Sequence, residues 1–302
     1  MTRAKRSAPA TRRRTSTRKK GPRTGRAWRF LRAMLLSAAA SFGAASYLMH
    51  PQWRADFPPG QVLAWLGWPP QEPFAPLVAA SGPLAQTDFS QCRQFFPQGQ
   101  PPAVPAAPGL RELCFSSFAV LHSGQTKTPV FAATRLNRQM LARAPQVQRQ
   151  DRFYAEARLP KAERAELADY RGSGYSRGHM APAGDMHTDE AMAQSFSLAN
   201  MVPQDQAHNA GAWNRIEQDT RKYVMRAAGD VYVFTGPVYA GTPLAIGAGV
   251  AVPSHLFKLV YDDTTGRSWV HWQANHASAQ PGPPIGYAEF VRRTGLRLLP
   301  WP

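Results

Sequence analysis

Tyr170 to Asp185 reads YRGSGYSRGHMAPAGD. The stretch mixes glycines, two arginines, two serines, a histidine and an aspartate without a helical or strand period. It predicts a loop bent by glycine and held by its neighbours. At its centre Arg177, Gly178 and His179 set a guanidinium beside an imidazole. His179 is the one histidine whose surroundings look built for chemistry.

The second informative stretch is NAGAWNRIEQDTRKYVMRA, which predicts a helix over 209–227. At about 100° per residue, Asn209, Trp213, Glu217 and Arg221 form a slowly drifting polar stripe. Ala212, Ile216, Tyr223 and Ala227 form the buried stripe beside it. An amide, a carboxylate and a guanidinium then line one face. Read alone, the helix favours a solvated face with an i,i+4 pair between Glu217 and Arg221.

Around these two stretches the chain reads as short strands. Leu113 to Val120 and Pro129 to Ala133 suggest a hairpin joined by the polar HSGQTKT, and a short helix is expected over 136–144. Lys161 to Tyr170 has a helical pattern. Ser195 to Gln204 predicts an apolar strand ending at Asn200, with Pro203 preventing further pairing. Further strands are expected at 231–234, 250–252, 255–261 and 268–273, then a helix over 287–294. Strands do not alternate regularly with helices, so the fold class is α+β with mainly antiparallel pairing.

The order DYRGSGYSRGHMAPAGDM, FSLANMVPQ, NAGAWNRIEQDTR and VYVFTGPVY resembles the DNA/RNA non-specific endonucleases, the ββα-metal nucleases that include endonuclease G. The resemblance runs from about Cys92 to the C-terminus. It implies a ββα-metal finger, with His179 as the general base that takes a proton from the attacking water. It implies Asn209 as the ligand of one Mg²⁺, for which Mn²⁺ can substitute. Glu217 matches the carboxylate that orders water around the ion, and Arg221 its partner at the phosphate. Arg177 lies inside the motif. An arginine ahead of the motif normally helps hold phosphate, and Arg149 and Arg152 are both candidates. Where the family commonly has Asp before Arg-Gly-His, this chain has Ser176. A variant branch, mitochondrial exo/endonuclease relatives of endonuclease G, looks similar there. The substitution is read as altering metal affinity or cleavage mode.

The residue types suit the chemistry independently. Phosphodiester hydrolysis needs an activated water, a neutralised phosphate and a stabilised leaving oxygen. A neutral imidazole supplies the first. Mg²⁺ keeps most of its waters, so one amide with a carboxylate nearby is a workable site. Arginine's planar, permanently charged fork suits phosphate oxygens. Contacts to a phosphate common to every nucleotide imply weak base preference for DNA and RNA.

Composition bounds the rest. Of 36 Lys and Arg residues, 13 lie in residues 1–50, which contain no Asp or Glu; the remaining 23 face 19 acidic residues, for +4 of the total +17. The net charge therefore belongs mostly to the tail and is no evidence that the whole chain binds nucleic acid. Residues 1–32 read as a basic disordered tail, 33–50 as a signal or membrane-anchor helix, 51–90 as a Pro-rich tether and 91–302 as the nuclease domain. The seventeen uncharged residues 33–49 are at the short limit for a spanning helix. A positive segment ahead of an apolar one sends the remainder across a membrane. The expected location is the inner membrane facing the periplasm, or a secreted or periplasmic form. A cytoplasmic protein with a basic arm is the alternative. Cys92 and Cys114 are the only cysteines and favour a disulfide across a Pro-rich loop, with two free thiols as the other reading.

Other histidines have plainer readings. His187 with Asp185 fits no usual zinc spacing. His208 is expected at the surface at a helix start, and Asn200 is expected to brace the loop. The rival functions are a non-catalytic nucleic-acid-binding module and a phosphodiesterase or phosphatase for smaller substrates. A homodimer is compatible with either.

Overall fold

The computed structural model describes residues 83–301. In chain order the strands are β1 Leu84–Gln86, β2 Ala103–Pro105, β3 Leu110–Cys114, β4 Ala119–Ser123, β5 Thr128–Leu136 and β6 Tyr175–His179. They continue with β7 Met201–Asp205, β8 Val231–Val238, β9 Ala245–Ile246, β10 Val250–Ala251, β11 His255–Asp262 and β12 Ser268–Ala274. Helix α1 is Arg138–Arg143, α2 is Asp189–Ser195, α3 covers residues 206–224 and α4 is Tyr287–Thr294.

Six strands make one sheet in the order β12-β11-β8-β5-β4-β3, antiparallel at every pairing. The mixed α+β class with antiparallel pairing is therefore as expected. Alternation along each strand gives the sheet two apolar faces. Leu121, Phe131, Phe234 and Phe257 face one core, closed by Phe89, Phe96 and by Phe290 of α4. Val120, Ala132 and Leu256 face the other, closed by Met180, Phe196, Trp213 and Ile216. The second core carries the candidate site.

Several expectations need correction. Leu113–Val120 is two strands, because Phe115 to Phe118 turns the chain and stacks the two phenyl rings 4.3 Å apart. The β4–β5 hairpin stands. Residues 161–170 do not form one helix: a 3-10 turn, Lys161–Glu163, precedes a single helical turn, Leu167–Tyr170. The glycine-bent loop contains a strand, β6, which pairs antiparallel with β7. Pro203 lies inside β7, opposite Arg177. A two-stranded ribbon has an open edge on each strand, so a proline without N–H is tolerated there.

The tether expected over 51–90 overlaps the folded unit, since β1 pairs with β2 and Phe89 is buried. Cys92 and Cys114 form a disulfide, tying that entry segment to β3. Residues 1–32, 33–50 and most of the tether lie outside the described residues. Among the described residues no helix is long and apolar enough to cross a membrane.

Candidate active site

The β6–β7 ribbon fixes the Arg-Gly-His motif. Period two puts Arg177 and His179 on one face and Gly178 on the other. Gly178 is there for space: a Cβ would sit 2.7 Å from Gln204 Cβ. After the ribbon, Asn200 behaves as the expected brace. Its Oδ1 accepts from Ala181 N at 2.8 Å, and its Nδ2 donates to the carbonyls of Ala181 and Ser195, both at 2.9 Å. Asn275 was not singled out from sequence. It holds β7 from outside, accepting from Asp205 N and donating to Pro203 O.

Helix α3 starts at Asp205, whose Oδ1 accepts from His208 N at 2.9 Å. Its turn Asn209–Trp213 is a π-helix. An i→i+5 turn adds one residue, so the residues before it are rotated by roughly 100° against those after it. Here lies the difference from a uniform stripe: Asn209 opens onto the cleft, whereas Trp213 is turned inward and is 1% exposed. His208 is likewise buried, not at the surface, and its Nδ1 accepts from Gln204 Nε2 at 3.1 Å.

A cleft of about 760 Å³ is lined by Arg149, Arg152, Ser176, Arg177, His179 and Asn209, with Phe153 and Tyr175 among its apolar walls. His179 packs edge-on against Phe196 at 5.1 Å, and Phe153 lies 5.9 Å away. Arg149 sits over the Phe196 ring at 5.3 Å, and Arg177 over Phe153 at 4.2 Å. The two phenyl rings thus hold two guanidinium groups beside His179. Arg149 also pairs with Asp151 at 2.7 Å, both side chains being exposed. Arg152 is exposed.

Burial, reinforced by the Arg149 charge, pulls the His179 pKa down to about 3, so the ring is neutral at pH 7. Its Nε2 is buried, which leaves Nδ1 as the nitrogen that can serve the cleft.

Glu217 and Arg221 come after the π turn and do not line the cleft. Arg221 Nη1 donates to Asp185 Oδ1 at 3.0 Å. Asp185 is buried, and it was not singled out as an arginine partner from sequence. Burial pushes the Glu217 carboxyl up to about 7, opposed by the Lys258 ammonium. The Trp213 indole N–H lies near this carboxylate but out of hydrogen-bond geometry.

For a metal, Asn209 offers one hard oxygen donor, half-buried on the cleft wall. Among the described residues no group of three His, Cys, Asp or Glu is placed to hold an ion. That donor set suits a largely hydrated cation such as Mg²⁺ and does not suit zinc. Asp185 and His187 make no zinc site.

A family model described as DNA/RNA non-specific endonuclease matches residues 102–289. The chain is 41% identical to the mitochondrial nuclease EXOG of Xenopus laevis over 148 residues, covering 45% of this chain and 40% of that protein. With human EXOG the identity is 34% over 166 residues, 50% and 44% of the two chains. With human mitochondrial endonuclease G it is 32% over 172 residues, 53% and 57%. The matches thus span between 40% and 57% of the length of these relatives. The crystal structure of an EndoG/EndoGI complex superposes with a TM-score of 0.59 over 70% of this chain and 91% of that one, at 24% identity, a likeness of fold. With more than half its length matched and the Arg-Gly-His ribbon set against a helix bearing Asn209, the chain belongs to the DNA/RNA non-specific endonuclease family.

Proposed function

We propose that this domain is a metal-dependent, sequence-nonspecific nuclease that hydrolyses phosphodiester bonds in DNA and RNA. The observation that carries the reading is a neutral His179 in one cleft with Arg149, Arg152, Arg177 and Asn209. The arginines bind the phosphate, charged at any working pH and forked to meet two oxygens. His179 Nδ1 takes the proton of the attacking water. At about 3 its free pKa is low for a base. Burial is the larger cause of that depression; a phosphodiester anion held against Arg149 offsets the smaller, cationic part and moves the pKa upward. Mg²⁺ or Mn²⁺ at Asn209 would supply charge neutralisation at the phosphate and the leaving oxygen. Glu217 acts as an acceptor orienting water beside that site, and Arg221, braced by Asp185, keeps the carboxylate's surroundings cationic. These contacts address the backbone, which favours tolerance of sequence. Ser176 contributes no charge, so metal affinity or cleavage mode departs from relatives with Asp there.

Purified protein is tested on plasmid DNA and on RNA with Mg²⁺ and with EDTA. Cleavage of both, abolished by EDTA, supports the reading. Salt-sensitive binding that leaves both polymers intact would replace it with a binding module. Faster turnover of a small phosphodiester than of DNA would move the substrate class.

Export belongs to the same proposal. It is supported by the basic-then-apolar order of residues 1–50 and by the Cys92–Cys114 disulfide, which persists in oxidising compartments. The mass of the mature protein tests whether residues 33–50 remain as an anchor or are cleaved.

A further inference from the structure

Between α3 and the sheet lies a layer of buried charge outside the cleft. Lys258 occupies the middle of β11 and is 1% exposed, on the face where Leu256 and Val260 belong to apolar cores. Its Nζ donates to Thr235 Oγ1 of β8 at 2.8 Å and stands 5.4 Å from the centre of the Trp213 ring on α3. An ammonium has three donors, and one hydroxyl with one ring face does not offset burying a charge. The remaining compensation is electrostatic. Burial holds the Lys258 pKa below the usual lysine range, and Arg221 acts in the same direction; Glu217 and then Asp185 oppose this by favouring the charged form. Asp185 is already engaged by Arg221 at 3.0 Å, and of the two cations that favour ionised Glu217, Lys258 outweighs Arg221. His271, opposite Lys258 on β12, is held down to about 4 by burial and then by the Lys258 charge. It is therefore neutral at pH 7 and adds no competing cation.

We propose that Lys258 is a positioning residue of the active site: its buried ammonium, anchored on Thr235 and Trp213, fixes the Glu217 carboxylate through α3 from the sheet side. A merely structural residue would be replaceable by methionine, which fills the same space without the penalty of burying a charge. The structure instead keeps a lysine at this buried position, against Trp213, which lies one helical turn from Glu217 on α3. The kinetic consequence rests on the nuclease reading; the effect on Glu217 itself does not.

The test uses the full chain, with Lys258→Met, Thr235→Val, and Lys258→Met combined with Glu217→Gln. Carbon-13 NMR of the metal-free protein follows the Glu217 carboxyl, identified by its loss in Glu217→Gln. In Lys258→Met its titration should move up by about one pH unit or more, and in Thr235→Val by less in the same direction. With saturating Mg²⁺, Lys258→Met should lower kcat about 10–100-fold at unchanged KM. The same substitution should change little further in the Glu217→Gln background. An unmoved Glu217 titration in Lys258→Met overturns the proposal. So does an equal loss of kcat in both backgrounds. Should Lys258→Met fail to fold, Thr235→Val decides by the same titration. A wild-type protein that cleaves neither DNA nor RNA would sink the nuclease reading, and the NMR result would still judge Lys258.

Discussion

Replacing Gly178 with alanine probes how the ribbon and the π turn support each other. Gly178 is buried opposite Val202, and an added Cβ would lie 2.7 Å from Gln204 Cβ and 2.9 Å from Gln204 Cδ. Gln204 cannot swing aside freely: it is fully buried, and its amide donates to His208 Nδ1 at 3.1 Å. His208 in turn precedes Asn209 and the π turn. Overpacking a filled site costs about 1–3 kcal/mol, and breaking the buried Gln204–His208 bond adds about 1–3 more. For a domain of this size, each kcal/mol moves Tm by about 2–4 °C, so a fall of about 4–24 °C is expected. Cleavage should drop as well, since the displaced groups carry His179 and Asn209. Calorimetry of wild type, Gly178→Ala, Gln204→Ala and the double variant measures the coupling. Gln204→Ala removes two of the three closest atoms but keeps its Cβ, so Gly178→Ala should cost at least about 1 kcal/mol less in that background. A Gly178→Ala protein that melts within about 1 °C of wild type and cleaves equally well would refute the reasoning.

With Glu217 held at about 7 by burial, kcat/KM should rise with pH through neutrality, and a pH–rate profile of Glu217→Gln should lose that limb. A folded pKa raised above 4.5 disfavours the native state as pH climbs from 4.5 through 7, so denaturation titrations should show Glu217→Gln gaining stability relative to wild type at pH 8 compared with pH 4. Arg152→Ala should raise KM and flatten the dependence of DNA binding on log salt by about one phosphate contact. Arg149→Ala should also lower kcat, because Arg149 borders His179; steady-state kinetics showing both variants equal to wild type would count against the assignment. Replacing Cys92 and Cys114 by serine should lower unfolding free energy by about 3 kcal/mol in chemical denaturation, since the pair closes a 22-residue separation.

What was legible in sequence was set by local pattern and spacing. Tyr287–Thr294 is the helix expected, and β8, β11 and β12 follow their apolar runs. The spacing from His179 to Asn209, Glu217 and Arg221 pointed to a common assembly, because a ribbon and one helix can present it. What escaped depended on tertiary partners. The β6 strand hides under glycines and charges because its β7 partner, itself held by Asn275, fixes it instead of its own period. A π turn is invisible to a 100° wheel, so the wheel places Trp213 on the polar stripe, and His208 is buried by its bond to Gln204 despite standing at a helix start. Lys258 sits in HLFKLVY as an ordinary strand residue, since nothing local announces that it is buried against Thr235 and Trp213.

The central claim is that His179 is the base of a phosphodiester-cleaving site. Supercoiled plasmid incubated with Mg²⁺ and equal amounts of wild type and folded His179→Ala measures it directly. The account predicts nicking and linearisation by wild type and a loss of at least about 100-fold in the variant. Undiminished cleavage by His179→Ala would contradict it.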